Sequence, residues 1–207
     1  NRVPEGTAKS PLPKWRHKLE DEFLSNTFYE RVQRVAAKRP NLVTRINNIS
    51  GSLLGAREYT DTSHKVFISP REVRFRELEF ALPRAAAGEA ISQMQAWFAK
   101  SDEQVSFPVE VRFTAADDIW LSTGHDRDNV YIAAHQFHTV DPTRYFNAMQ
   151  DIFTAHAGRP HWGKMHTLTS DYLRTVYSRF DDFVVVRNQL DPERRFTNDY
   201  LDQVLGA

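Results

Sequence analysis

The sequence predicts an α+β fold: an antiparallel sheet with helices packed on one face, closed by a C-terminal helical segment. Three observations lead there. Apolar residues alternate at Val66–Ser69, Val73–Leu82, Phe107–Thr114 and Asn129–His138, the period of strands with one buried face. Ala87, Ala90, Ile91, Met94, Trp97 and Phe98, and later Tyr145, Met149, Ile152 and Phe153, repeat instead at helical spacing. After residue 166 the pattern is helical to the end, with Asp191-Pro192 and Gly206 as breaks.

Taken in order, residues 1–14 hold three prolines among small polar residues and read as a linker or tether. Residues 15–207 then read as one domain. Leu19, Phe23 and Leu24 begin a helical pattern. Thr27-x-x-Glu30 offers a capping box for a second helix, with Phe28, Val32 and Val35 on its apolar face and Arg39-Pro40 as its stop. Residues 41–62 fit no single pattern. Pro70 separates the first two strands and Pro83 ends the second. Asp141-Pro142 supplies a cap and a first-turn proline to the helix that Gly158 stops.

Composition narrows the function classes. With 207 residues, 41% hydrophobic and 26% charged, the chain has the make-up of a globular protein with a real core. Lys+Arg and Asp+Glu balance at 27 each, which gives no electrostatic case for nucleic acid. Cysteine is absent, excluding disulfides, thiol catalysis and thiolate metal sites, so redox chemistry would need a bound cofactor. No signal segment or membrane span is expected from this stretch, and the expected location is the cytoplasm, peripheral attachment at a membrane included. The chain opens on Asn1 and its first methionine is Met94, as expected of a fragment or a processed product.

Two short stretches carry the chemistry. Glu110-Val111-Arg112 lies in an alternating strand, so Glu110 and Arg112 share one face while Val109, Val111 and Phe113 share the other. An apolar back with a Glu/Arg front suits a sheet lining a polar pocket, although such pairs also occur on solvated faces. Arg159-Pro160-His161-Trp162-Gly163-Lys164 places a His, a Trp and a Lys on a stiffened loop between helical patterns. Alone, Lys164 reads equally as a solvated lysine and Trp162 as a core anchor. His156, His161 and His166 match no standard zinc spacing, so no metal site is expected. No GxGxxG or GxxxxGK[ST] loop is present to cradle a phosphate.

Together with Arg179-Phe180-Asp181-Asp182-Phe183 and Arg187 through Pro192, these stretches resemble the sugar-1,4-lactone oxidases. That family comprises D-arabinono- and L-gulono-1,4-lactone oxidases and dehydrogenases, with alditol oxidase a relative, all FAD enzymes of the vanillyl-alcohol-oxidase type. The resemblance covers nearly the whole chain but only the family's C-terminal, substrate-side half. It therefore implies an upstream FAD-binding domain that holds most of the cofactor. Gly163 stands where eukaryotic members carry Ala, which suggests a bacterial branch.

The resemblance implies Glu110, Arg112 and Lys164 as catalytic, Lys164 also facing the cofactor, and His135, His161 and Trp162 as substrate-binding. The implied reaction moves hydride from a carbon bearing a hydroxyl to flavin N5, while the hydroxyl loses its proton. Cations fixed in a dry pocket stabilise the charge that develops. Arg112 and Lys164 would do this, with Glu110 orienting Arg112 and the substrate hydroxyl rather than acting as general base. His135-Gln136-Phe137 departs from the alditol oxidases' His-Phe-Thr and favours a lactone over an open-chain polyol. A satisfied strand histidine is the other reading of His135. Glu79 matches the family pattern, with a structural role expected. Implied partners are a sugar lactone and an electron acceptor: oxygen, a cytochrome or a quinone. A second class stays open, a non-catalytic module of the same fold that binds a sugar acid or a protein.

Overall fold

The computed structural model describes residues 3–17, 23–24, 26–53, 58–68 and 72–206. They divide into two compact units, one of residues 1–75, 104–106 and 137–140, the other of residues 76–103, 107–136 and 141–207.

Among its described residues the first unit holds the α-helices α1 Lys14–His17, α2 Tyr29–Lys38, α3 Val43–Leu53 and α4 Ser63–Phe67. Its predicted details need correction. Residues 26–28 are already helical, so Thr27 does not cap α2 and the expected capping box is not formed. Phe28 and Val35 are exposed, and α2 instead buries Gln33 and Ala36. The reason is polar: Gln33 Nε2 donates to the Ser106 carbonyl at 3.3 Å, and Ser106 Oγ donates to Gln33 Oε1. Val66 and Phe67 are helical rather than extended, because the Lys65 and Val66 N–H groups fold back on the Thr62 carbonyl at 2.9 and 3.2 Å. Ser69, Pro70 and Leu19 lie outside the described residues. Near the start, Ser10 exchanges two backbone hydrogen bonds of 2.9 Å with Thr60.

The second unit is organised by a sheet of β1 Phe75–Pro83, β2 Glu110–Thr114, β3 Asn129–Phe137 and β4 Arg159–Pro160, in the order β2-β3-β1-β4. With α5 Ala87–Lys100 between β1 and β2, and α6 Thr143–Ala155 between β3 and β4, the chain runs βαββαβ. Each helix links two strands that have a third strand between them, which makes two interleaved split βαβ units. β2 starts at Glu110 rather than Phe107, since Pro108 has no N–H for a ladder. It pairs antiparallel with β3, Glu110 facing Ala133 and Arg112 facing Tyr131. β4 pairs antiparallel with β1, Phe80 facing Pro160.

Alternation along β1 separates Leu78, Phe80 and Leu82 from Glu77 and Glu79. The apolar set faces the helices, with Phe80 and Phe153 of α6 at 5.5 Å between ring centroids. Each such fully buried Leu or Phe contributes about 1.5–3 kcal/mol. β2 departs from the expected buried back: at the edge of the sheet, Val111 and Phe113 are exposed. α7 Ser170–Val176, α8 Phe180–Leu190 and α9 Asp199–Leu205 close the chain around Leu173, Tyr177, Phe180 and Val204. Among the described residues no helix is long and apolar enough to cross a membrane.

The end of α6 shows why a glycine follows it. The left-handed residue is Ala157, at φ 52°, rather than Gly158. Gly158 is needed for close approach, since a Cβ there would lie 2.6 Å from the Phe153 carbonyl oxygen and 3.0 Å from Phe80 Cδ1. Gly158→Ala is therefore expected to destabilise by about 1–3 kcal/mol, as overpacking does. Gly88→Ala, whose Cβ meets nothing within 4 Å, should stay within about 1 kcal/mol of the parent in the same urea titration.

Candidate active site

The polar face of the sheet holds a cluster of charged side chains from three strands and one loop. At its centre is Glu79, whose side chain is 2% exposed although it carries a carboxylate. Arg112 Nη2 donates to Glu79 Oε1 at 2.6 Å, and Lys164 Nζ donates to Glu79 Oε2. Lys164 also donates to Glu77 Oε1 at 2.5 Å. His135 Nε2 lies 3.1 Å from that same oxygen. A carboxylate can only accept, so Nε2 carries the imidazole proton. Phe107 stacks on the His135 ring at 6.2 Å.

Strand order explains how these groups meet. β3 lies between β1 and β2, so Arg112 must reach over it to find Glu79, across roughly twice the 4.8 Å strand spacing. The β3 residues on that face are Tyr131, directly opposite Arg112, then Ala133 and His135. Glu110, opposite Ala133, is half-buried and 3.8 Å from Arg112 Nη2, an ion-pair distance without a hydrogen bond.

Lys164 arrives by a different route. After β4 the chain keeps bonding to β1, His161 N–H to the Glu79 carbonyl and Met165 N–H to the Glu77 carbonyl, both at 2.9 Å. Residues 162–164 form an excursion between those two bonds. Lys164 N–H closes it onto the His161 carbonyl at 3.1 Å, and Gly163 N–H donates to His161 Nδ1 at 3.1 Å. A Cβ on Gly163 would meet only the His161 ring, at 3.5 Å, so alanine fits there.

The structure thus brings Arg112, Lys164, Glu110 and His135 together, and sets His161 and Trp162 apart. His161 is exposed and its one described side-chain bond is to Gly163. Trp162 packs against the C-terminal helical core, 5.2 Å from Tyr177, and gives its indole N–H to the Leu121 carbonyl at 2.9 Å. Its position anchors the excursion that presents Lys164. Glu77 and Glu79 are the central residues that sequence reasoning undervalued, Glu79 taken as structural and Glu77 passed over. The available signal was two carboxylates, two apart, leading directly into the apolar run at residues 80–83.

Two further arginines serve the frame. Arg159 gives its guanidinium to the carbonyls of Val176, Thr123 and His125, and Arg127 to those of Ala157 and Ala81 and to Asn129 Oδ1. Burial lowers the pKa of both, that of Arg127 to about 10. Among the described residues no group of three or more His, Asp or Glu could hold a metal ion.

One face of the βαββαβ sheet thus bears a carboxylate–cation cluster drawn from three strands and one loop. Comparison with known proteins gives the family. The family model for D-arabinono-1,4-lactone oxidase matches residues 2–204, and the chain belongs to that family. It is 38% identical over 196 residues to L-gulono-1,4-lactone dehydrogenase of Mycobacterium tuberculosis, covering 95% of this chain and 46% of that protein. It is 37% identical over 174 residues to L-gulonolactone oxidase of Bos taurus, covering 80% of this chain and 39% of the relative. Alditol oxidase of a Streptomyces species is 34% identical over 133 residues, covering 62% and 31%. The chain thus spans about half the length, or less, of these curated relatives.

The Lys164 loop is tied to His166 by a pH-sensitive contact. Leu168 N–H donates to His166 Nδ1 at 3.2 Å, so Nε2 holds the proton and donates to Tyr200 Oη at 3.1 Å. Tyr200 in turn donates to the Trp162 carbonyl at 2.5 Å. Burial lowers the His166 pKa from 6.5 to about 4. Between those values the unfolded chain binds more protons than the folded one, so stability rises with pH across the window. His166 contributes fully above about pH 6.5, and the contribution is lost as pH falls toward 4. Thermal midpoints measured across this range should fall less steeply in His166→Gln than in the parent. Equal slopes would show that His166 does not titrate this way.

Proposed function

We propose that the chain is the substrate-binding domain of an FAD-dependent oxidoreductase that oxidises an aldono-1,4-lactone of the arabinono or gulono type. Membership of the lactone oxidase family supports the class. The observation that carries the site assignment is the convergence of Arg112 and Lys164, from separate elements, on one carboxylate. Fixed cations of this kind favour an alcohol oxygen as it loses its proton more than they favour the neutral hydroxyl.

In this reading Arg112 and Lys164 hold the substrate oxygen and the negative charge that grows on it. Glu110, the most accessible carboxylate of the cluster, orients the substrate hydroxyl. Both oxygens of Glu79 are engaged by cations, so neither is open to the substrate hydroxyl. His135, set by Glu77, contributes to the pocket wall. Trp162 and His161 shape the loop rather than touch the reacting atoms.

FAD, when bound, would supply the two-electron acceptor for the carbon-bound hydrogen. Among this chain's residues the fit is partial. Lys164, with 18% of its side chain exposed, is suited to a ring edge that gains negative charge. The buried Arg127 and Arg159 are spent on protein groups and are not available for a pyrophosphate. In this reading an upstream FAD-binding domain holds the adenine and pyrophosphate. Reoxidation of the flavin falls to an acceptor such as oxygen, a cytochrome or a quinone.

In the full-length, FAD-loaded protein, Lys164→Ala should slow lactone-dependent flavin reduction by about 10²–10³-fold, the usual loss for one charge-stabilising donor. Flavin content should change little. Stopped-flow reduction within threefold of the parent would remove Lys164 from the reaction. Absence of reduction by any aldonolactone in the parent itself would favour a non-catalytic sugar-acid-binding module.

A further inference from the structure

We propose that Glu79 is a positioning residue for this reaction: a buried carboxylate that aims Arg112 and Lys164 at the same substrate oxygen. The assignment rests on the oxidative reading above and adds a role for a residue that does not itself meet substrate.

The geometry divides the labour of one side chain. Oε1 of Glu79 takes Arg112 and Oε2 takes Lys164. Glu77 duplicates the bond to Lys164 but has no described bond to Arg112, and Glu110 stands 3.8 Å from Arg112. Among the described residues, Glu79 alone bonds both cations. Buried to 2% exposure, it depends on them in return, because an uncompensated carboxylate in that setting is strongly disfavoured. Arg112 keeps 54% of its side chain exposed, so its guanidinium is held at one end and open at the other.

The backbones that carry the two cations do not depend on this carboxylate. β2 is fixed by its ladder with β3, and the excursion by the His161 and Met165 bonds to β1 and by Trp162. Loss of the Glu79 charge therefore loosens the Arg112 tip and leaves Lys164 on Glu77 alone, while the chain stays in place. Glutamine has the same shape, but its amide N–H would face one of the two cations, donor against donor. One arm is then released. Aspartate keeps the charge and is one methylene shorter, too short to hold both.

The test uses the full-length, FAD-loaded protein, with rates of lactone-dependent reduction expressed per bound flavin. Glu79→Gln, Lys164→Met and the double variant are compared. Glu79→Gln should lose about 10²-fold in the reduction rate, comparable to loss of one charge-stabilising donor. Because Glu79 acts through Lys164 and Arg112, the double variant should lose at least tenfold less than the product of the single losses, the non-additivity expected of residues working as one unit. A lesion that only loosened the fold would multiply with the Lys164 loss, and such multiplication overturns the proposal. So does a Glu79→Gln rate within threefold of the parent. If Lys164→Met is itself harmless, the oxidative reading of the cluster fails instead. Should Glu79→Gln not fold, Glu79→Asp replaces it, with a loss above about fivefold expected and a parental rate overturning the positioning role.

Discussion

Burial of the Glu79 carboxylate is the constraint on which the rest of the second unit turns. A charge removed from water is tolerated only with opposite charge and hydrogen bonds in good geometry, and stripping one partner from such a pair costs about 3–5 kcal/mol. Arg112 and Lys164 meet that requirement from opposite sides of the strand order, one over β3 and one from the edge beyond β4. The interleaved βαββαβ chain path is what makes this meeting possible. β1 lies inside the sheet, between β3 and β4, so a side chain on its polar face can be reached from both directions.

The C-terminal helices enter the site through this same geometry. Trp162 sits in their core, Tyr200 holds its carbonyl, and Tyr177 packs on its ring. Lys164 is two residues away, so the helical cluster and the charge cluster are linked by one short loop. Core residues such as Leu173 and Val204, with no polar atoms near the chemistry, bear on where the ammonium group stands.

Much of the sheet and its two helices was legible in the sequence because their periodicities are long and backed by burial. β1, β3, α5 and α6 follow the predicted segments closely. Short signals failed. Val66–Ser69 alternates over four residues, too few to outweigh the local turn at Thr62 that makes Val66 and Phe67 helical. The Phe28/Val35 stripe misled because α2 buries a polar side chain, Gln33, whose partner Ser106 is remote in sequence. At the site, the Glu-x-Arg strand and the His-Trp-x-Lys loop named the cations, while family resemblance rather than spacing connected them. Glu79 was given a structural role because a pair of strand carboxylates two apart does not by itself say which cations will reach it. Its importance comes from strand order, which appears only once the chain is folded.

The excursion at residues 162–164 has a consequence for how such a loop can vary. Its two ends are pinned to carbonyls two residues apart on the same strand, so its arc length is set by the sheet. An inserted or deleted residue would shift Trp162 out of its socket or turn the lysine away. At Gly163, by contrast, space is open to a methyl group. What the backbone enforces here is a count rather than a spelling: the interval between tryptophan and lysine is fixed, and the letter between them is free to drift.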